Sequence, residues 1–568
     1  MIFLVLCIIT EFWSLPAICQ DNVSPLVNER VSIQTDRSIY IAGENLYFRL
    51  SLVNLSSSKN SKLSNYVYVL LRSENNTTVT KLRFHLQNDI AFGSLYLPDT
   101  LKTGIYQLVS FTNYMRNYGE ESFATKEITI ANRFDNDLSS LKFTNINPAS
   151  DSASQHENID NELSISCNKN EFGPRENVNV NLNIRDKMSL IGSSIALSIY
   201  NIPGDEIKND SESDDFVDKK ANYQSNNCVY LPEINETALQ GQVIGSESGI
   251  AIPHALVLLS TVDSIDNLKF EYSDNSGNFC FLLNNFYDGK KLVIHVMDNP
   301  KAEIRLDDKF DLKKPFNPGA RIFNYNVKDF IKANQQRLQV NKIYKLSDSI
   351  SVFSEGKKPL YENMIYHHSD LVIHPSDYLQ LPDFVEISRE LLPTLKVRKK
   401  GIQYTASILD PDLQEFLGDR PAIFLDGVLI EDINQVIDLG TTRIKTIEMV
   451  NNKRYYGNFS MQGILSIYTT KDELNNVSWQ TSVIKTSAVS DQLLASPYFT
   501  MSAKPNKREP DFRTLLYWTP NLKLNEDGTA QFSFFTSDCS GDFVIKAEGI
   551  GEDGKRIQAS YVFKVVNQ

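Results

Sequence analysis

The run Tyr366-His367-His368-Ser369-Asp370, closed by His374-Pro375, gathers the densest set of metal-ligating side chains in the chain. Imidazole and carboxylate are zinc and copper ligands, so the run is a candidate metal site. On an unbroken strand, adjacent histidines point to opposite faces, and only His368, Asp370 and His374 share one. Histidines at a strand end explain the run equally simply. No metal is therefore expected, with His368, Asp370 and His374 as the candidates if one binds.

The other reactive groups offer less. G-x-S-x-G, H-E-x-x-H and G-x-x-x-x-G-K-[ST] do not occur. A nucleophile needs an oriented base, and no histidine lies in a context that reveals one. No catalytic residue, cofactor or enzymatic activity is expected. Cys167, Cys228, Cys280 and Cys539 are widely spaced and lack the C-x-x-C pairing of zinc ribbons. Disulfides in an oxidising compartment and buried thiols both remain open for them. Asp426-Gly427 has the composition of a hairpin turn, in which both residues take positive φ. Asp36, Arg37 and Glu44 form a charge cluster read as structural.

The elements that must carry these residues are mostly strands. Asn177–Ile184 reads N-V-N-V-N-L-N-I, placing four apolar side chains on one face. Similar runs recur at Tyr66–Leu71, Tyr106–Phe111, Ala255–Leu259, Lys291–Val296, Ile444–Val450, Ile464–Tyr468 and Asp542–Gly549. Gly, Asn, Asp and Ser punctuate them, the pattern of β-sandwiches. Asp412–Leu417 and Glu431–Leu439 are the best helix candidates. Polar stretches at 135–162, 204–227 and 475–509 read as linkers or long loops. The fold class expected is mainly β: tandem sandwiches plus one small α+β module.

The 568 residues carry 57 Lys+Arg against 70 Asp+Glu, a net charge of −13. Nucleic acid and anionic lipid need a basic face, so neither is expected as the main partner. Residues 1–19 combine an apolar run with Pro and small residues, in the manner of a signal peptide. Cleavage after Cys19 leaves Gln20 as the new N-terminus; a lipoprotein reading makes Cys19 the acylated residue. Elsewhere no stretch reaches the roughly 18–20 apolar residues of a membrane helix.

Several motifs resemble known families. Thr35-Asp36-Arg37-Ser38-Ile39-Tyr40-Ile41-Ala42-Gly43-Glu44, with Gly104-Ile105-Tyr106 and the run from Phe111 to Asn117, resembles the macroglobulin-type sandwich (28–132), in the version carried by Bacteroidetes envelope proteins. After a linker (133–160), Phe172-Gly173-Pro174-Arg175-Glu176 resembles the start of a second such sandwich (161–237, with an acidic loop). Gly241, Pro253 and Asp274-Asn275-Ser276-Gly277-Asn278-Phe279 resemble the carboxypeptidase regulatory-like, transthyretin-like domain (238–300), which is non-catalytic. A connecting β region is expected at 301–389. Asp426-Gly427-Val428, Tyr456-Gly457 and Gly463 onward resemble the plug of TonB-dependent outer-membrane receptors (390–472). A linker (473–509) and a macroglobulin-like β region (510–568) follow. That last region is either a separate module or the completion of the sandwich begun near 161.

The resemblance implies an exported, periplasmic or outer-membrane-associated scaffold. Its partner would be an outer-membrane β-barrel or a multiprotein envelope complex, with membrane association through that partner or through lipidation. The alternatives are a macroglobulin-like protease-binding defence protein without thioester, and a surface adhesin or glycan-binding protein.

Overall fold

A computed structural model describes residues 28–55, 63–144, 163–185, 190–191, 194–203, 230–262, 264–319, 321–343, 368–418, 420–456, 459–471, 473–477, 479, 481–489, 491–492, 510–551 and 554–566. The fold is mainly β, as the strand grammar predicts. Two compact units divide the chain: residues 1–234, 310–354 and 492–568 form one, and residues 235–309 and 355–491 form the other.

The first unit holds two sandwiches. In the first, Glu29–Thr35, Asn45–Asn54 and Ile90–Tyr96 make one sheet. Ile39–Ile41, Ala124–Ala131, Gly104–Phe111, Tyr66–Ser73 and Thr78–His85 follow one another in the facing sheet. Phe48 meets Phe84 edge-on, and a Cβ at Gly93 would collide with that same Phe84 ring at 2.6 Å. Glycine is thus required where the two sheets pinch.

The second sandwich settles the question left open by the sequence. Asn177–Ile184 lies between Leu163–Cys167 and Thr529–Phe535. Ser194–Asn201 lies between Leu515–Lys523 and Gly541–Ile550. The final strands therefore complete the fold begun near 161, and the sequence between is inserted within it. Val178, Val180, Leu182 and Ile184 are all buried, and the asparagines between them are exposed. Burial of four such side chains is worth roughly 6–12 kcal/mol before entropy is charged against it.

The Phe172–Glu176 turn is held by the same C-terminal strands. Arg175 adopts φ 57° and donates a bidentate pair to Asp538, at 2.7 and 2.5 Å. That guanidinium pair, with the Asp511 N–H, holds the Asp538 carboxyl below its usual range against a burial effect of opposite sign. Between the two sandwiches lies Arg49, fully buried. It donates to the Ile191 and Pro520 carbonyls and to the Ser51 and Ser194 hydroxyls. Burial lowers its pKa to about 10.

The region expected as connecting β at 301–389 is corrected by the structure. Tyr325–Ile343 is a 19-residue helix. It lays Val327, Ile331 and Leu338 against Ile39, Ile41 and Ile105 of the first sandwich. Gln335 donates to the Asn132 and Asp135 carbonyls at 2.6 and 3.1 Å. Of its five buried residues only Val327, Ile331 and Leu338 are apolar, the other two being Asn334 and Gln335, so apolar periodicity alone does not announce it.

The second unit also holds two modules. Seven strands form a small sandwich: Asn278–Leu283, Thr237–Gly245 and Ala302–Leu306 face Ser264–Tyr272, Leu256–Thr261, Lys291–Val296 and Val483–Ser487. The expected boundary of 300 is too early, and the seventh strand comes from the stretch expected to be linker. The α+β module carries a mixed sheet in the order Leu371–Ile373, Ile444–Val450, Ile464–Thr469, Ala422–Leu425, Val428–Ile430. Helix Phe384–Leu391, N-capped by Asp383, packs Phe384 and Ile387 into its core. Apart from Val293, that core runs from Ile373 to Val477, wider at both ends than the expected 390–472. Neither predicted helix forms there. Asp410 caps the N–H groups of Asp412 and Leu413 into a turn before strand Glu415–Phe416, and 433–435 is a single 3₁₀ turn held by Asp432.

Candidate functional site

Lys291–Val296 shows how one strand serves two modules. Alternation sends Leu292, Ile294 and Val296 into the seven-stranded sandwich. Val293 goes the other way, into the α+β core. His295 shares that face and meets Glu431, which follows the Val428–Ile430 strand. The His295 Nε2 to Glu431 Oε1 distance is 2.9 Å. The same oxygen accepts the Asp298 N–H at 3.3 Å. His295 holds the Glu431 carboxyl below its ordinary range, although burial opposes this.

Beside this pair opens a cleft of about 480 Å³, lined among others by His295, Tyr404, Arg420, Asn434 and Trp479. Asn434 fixes one wall. Its carboxamide accepts from the Tyr404 N–H at 2.8 Å and donates to the Tyr404 carbonyl at 3.1 Å, as a neighbouring strand would. The Trp479 indole donates to Leu474 O at 3.1 Å, with the Lys485 ammonium 5.0 Å from its ring centre. His295 is 5% exposed, and its Nδ1 is buried without a hydrogen-bond partner among the described residues. The arrangement is an oriented imidazole–carboxylate pair at a polar cleft. Among the described residues no hydroxyl or thiol is hydrogen-bonded to either ring nitrogen of His295, so the geometry of an activated nucleophile is not assembled there.

The residues singled out by sequence fall elsewhere. His368, Asp370 and His374 are exposed and flank the three-residue strand Leu371–Ile373. Asp370 Oδ2 accepts the Asn451 N–H at 2.6 Å, and His374 Nδ1 lies 3.3 Å from Thr446 Oγ1. Among the described residues no group of three or more His, Cys, Asp or Glu side chains is placed to hold a metal ion. The strand is too short to bring the three candidates together.

Asp426 and Gly427, at φ 47° and 83°, make the turn between Ala422–Leu425 and Val428–Ile430. The Asp426 carboxylate accepts both the N–H and the hydroxyl of Thr469 at 2.7 Å, which ties the turn to the neighbouring parallel strand. Gly463 sits at φ 79°, where a Cβ would meet Ile408 at 2.9 Å. Gly457, Cys19, Gln20 and the 1–19 leader lie outside the described residues, as does Cys228. Cys167 and Cys539 are free thiols. Burial pushes the Cys167 thiol up to about 12.

Asp36 likewise serves the fold. Fully buried, its Oδ1 accepts from the Tyr40 hydroxyl at 2.7 Å and the Tyr47 N–H at 2.9 Å. Arg37 lies between Asp36 and Glu44, at 3.4 and 3.2 Å. Burial prevails over these partners, and the Asp36 pKa rises to about 6.

Sequence reasoning missed the His295–Glu431 pair. Its signal was the K-L-V-I-H-V run, apolar on both faces apart from one histidine, which marks a strand covered on both sides.

No family model matches the chain, and no curated protein does. Among solved structures, trypsin-activated alpha-2-macroglobulin from Escherichia coli aligns over 97% of this chain and 42% of its own length, at 8% identity and a TM-score of 0.24. Salmonella alpha-2-macroglobulin reacted with methylamine aligns over 97% and 41%, at 9% identity and the same score. The CARDB domain of the PF1109 protein from Pyrococcus furiosus covers 19% of this chain at 11% identity and a TM-score of 0.15. The chain spans about two-fifths of the length of the macroglobulins it aligns with. Scores this low say nothing of function, and the mainly-β assignment stands on the strand pairings themselves.

Proposed function

We propose that this protein is a non-catalytic scaffold of the cell envelope that offers its α+β module to an outer-membrane β-barrel or a multiprotein envelope complex. One observation carries the reading. The 368–477 module packs a core of its own, and in the chain it is inserted between strands 177–201 and 529–550, which pair with one another. Modules inserted in this way leave the framework's core intact and free their own surface for recognition. The chemistry-bearing motifs fit the same reading: Asp36, Arg175, Asp426 and Asp538 direct their hydrogen bonds to backbone and neighbouring side chains of the fold. On the module, Tyr378 and Leu379 are adjacent, apolar and 51% and 86% exposed. The protease-binding alternative draws only on the macroglobulin-like sequence.

Co-purification of the tagged full-length chain from detergent-solubilised envelope tests the proposal. The expected result is recovery of an integral outer-membrane barrel protein, lost on Leu379→Asp with Tyr378→Ser. Recovery of no such protein from envelope in which the chain itself is abundant would sink it.

A further inference from the structure

Leu395–Lys400 and Gln403–Asp410 form an antiparallel ribbon that turns at Gly401–Ile402. Gly401 has φ +67° and open space around it. Lys396, Arg398, Lys399 and Lys400 place four cations in five residues of a chain whose net charge is −13. Their cross-strand partners are Ser407, Thr405, Tyr404 and Gln403, none of them acidic. Among the described residues none of the four cations makes an ion pair. Two instead lie near aromatic rings: Lys399 is 5.4 Å from the Tyr404 ring centre and Lys396 is 5.0 Å from that of Phe416. At the tip Ile402 is 93% exposed.

The two ring contacts do not account for four clustered cations, and the tip isoleucine packs on nothing. Like charges on adjacent residues repel one another, and an aliphatic side chain held in water gains nothing from folding. Together they form an apolar point behind a cationic collar, the arrangement of segments that rest at a bilayer interface. A nucleic-acid backbone would reward the cations but not the isoleucine tip.

We propose that the 395–403 hairpin is a peripheral contact with an anionic lipid surface. Ile402 enters the acyl boundary while Arg398, Lys399 and Lys400 lie among the anionic headgroups. This contact needs no barrel partner, so it can hold or fail independently of the scaffold proposal. It refines the inference from net charge: the whole chain is acidic, but one exposed hairpin is basic.

Flotation of the full-length chain with phosphatidylcholine vesicles, and with vesicles containing phosphatidylglycerol, tests it. The expected result is partition onto the anionic vesicles, weakened by salt. Each cation near an anionic surface is worth about fivefold, so Arg398→Gln with Lys399→Gln and Lys400→Gln should lower partition roughly 100-fold. Ile402→Ser should lower it about tenfold while the salt dependence persists. All four side chains are exposed, so circular dichroism of the variants should match the native chain. Equal partition onto both vesicle types overturns the proposal, as does binding that survives the triple substitution. Hairpin-dependent binding to a single-stranded oligonucleotide, without binding to anionic vesicles, assigns the edge to nucleic acid instead.

Discussion

Asp36 shows how a buried carboxylate is put to structural use. Its side chain closes the first sandwich through Tyr40 and Tyr47, and burial raises its pKa from 3.8 to about 6. The folded chain then holds this proton more tightly than the unfolded chain does. Its contribution to stability is fully present below about pH 4 and is lost as pH rises toward about 6, at up to about 1.4 kcal/mol per pH unit. Carboxylates held low, such as Asp538 and Glu431, act in the opposite sense and gain stability as pH rises through the acid range. The comparison must therefore be paired. Denaturation midpoints of the native chain and Asp36→Asn, taken from about pH 4 to about pH 7, should shift in favour of the variant as pH rises. A constant difference across that window would contradict the assignment. At this scale Asp426 was legible from its Asp-Gly dipeptide, because turn chemistry is local. The His295–Glu431 pair was not, because its partners are 136 residues apart and only the packing of two modules joins them.

Strands whose alternation is set by their own residues were readable, and Asn177–Ile184 is the clearest of them. Elements that depend on partners were not. Val483–Ser487 reads as polar linker because it is half-buried, with Lys485 and Ser487 exposed, yet it completes the seven-stranded sandwich against Lys291–Val296. Helix Tyr325–Ile343 escaped notice because its buried face is partly amide. The edge strand makes a specific prediction. The ladder bonds Val296 N–H to Ser482 O and Ala488 N–H to Lys290 O flank the strand, and alternation points the Ile484 N–H at the same neighbour. Ile484→Pro removes that donor and should cost at least about 2 kcal/mol in the unfolding of the second unit, read as a lowered urea midpoint. Ile484→Val keeps the ladder and should cost about 1 kcal/mol. Equal effects of the two substitutions would show that the strand contributes its side chain and not its pairing.

On the scale of the whole molecule, order along the chain and order in space diverge. The chain passes between its two units four times. A truncation ending at residue 509 removes one of the two partners of Asn177–Ile184 and both partners of Ser194–Asn201 while leaving the second unit's own cores complete. Such a product should expose the unpaired edges and apolar faces of the 163–201 strands and aggregate, seen as dye binding and loss from the soluble fraction. The native chain treated identically should stay soluble. The same pairing has a consequence in time. Residue 201 leaves the ribosome more than 300 residues before the strand Thr529–Phe535 that must lie beside 177–184. At cellular synthesis rates that is a wait on the order of tens of seconds. Throughout it half a sandwich is finished, apolar on one face and without its other half, so the growing chain calls for a holding factor until its last sixty or so residues arrive.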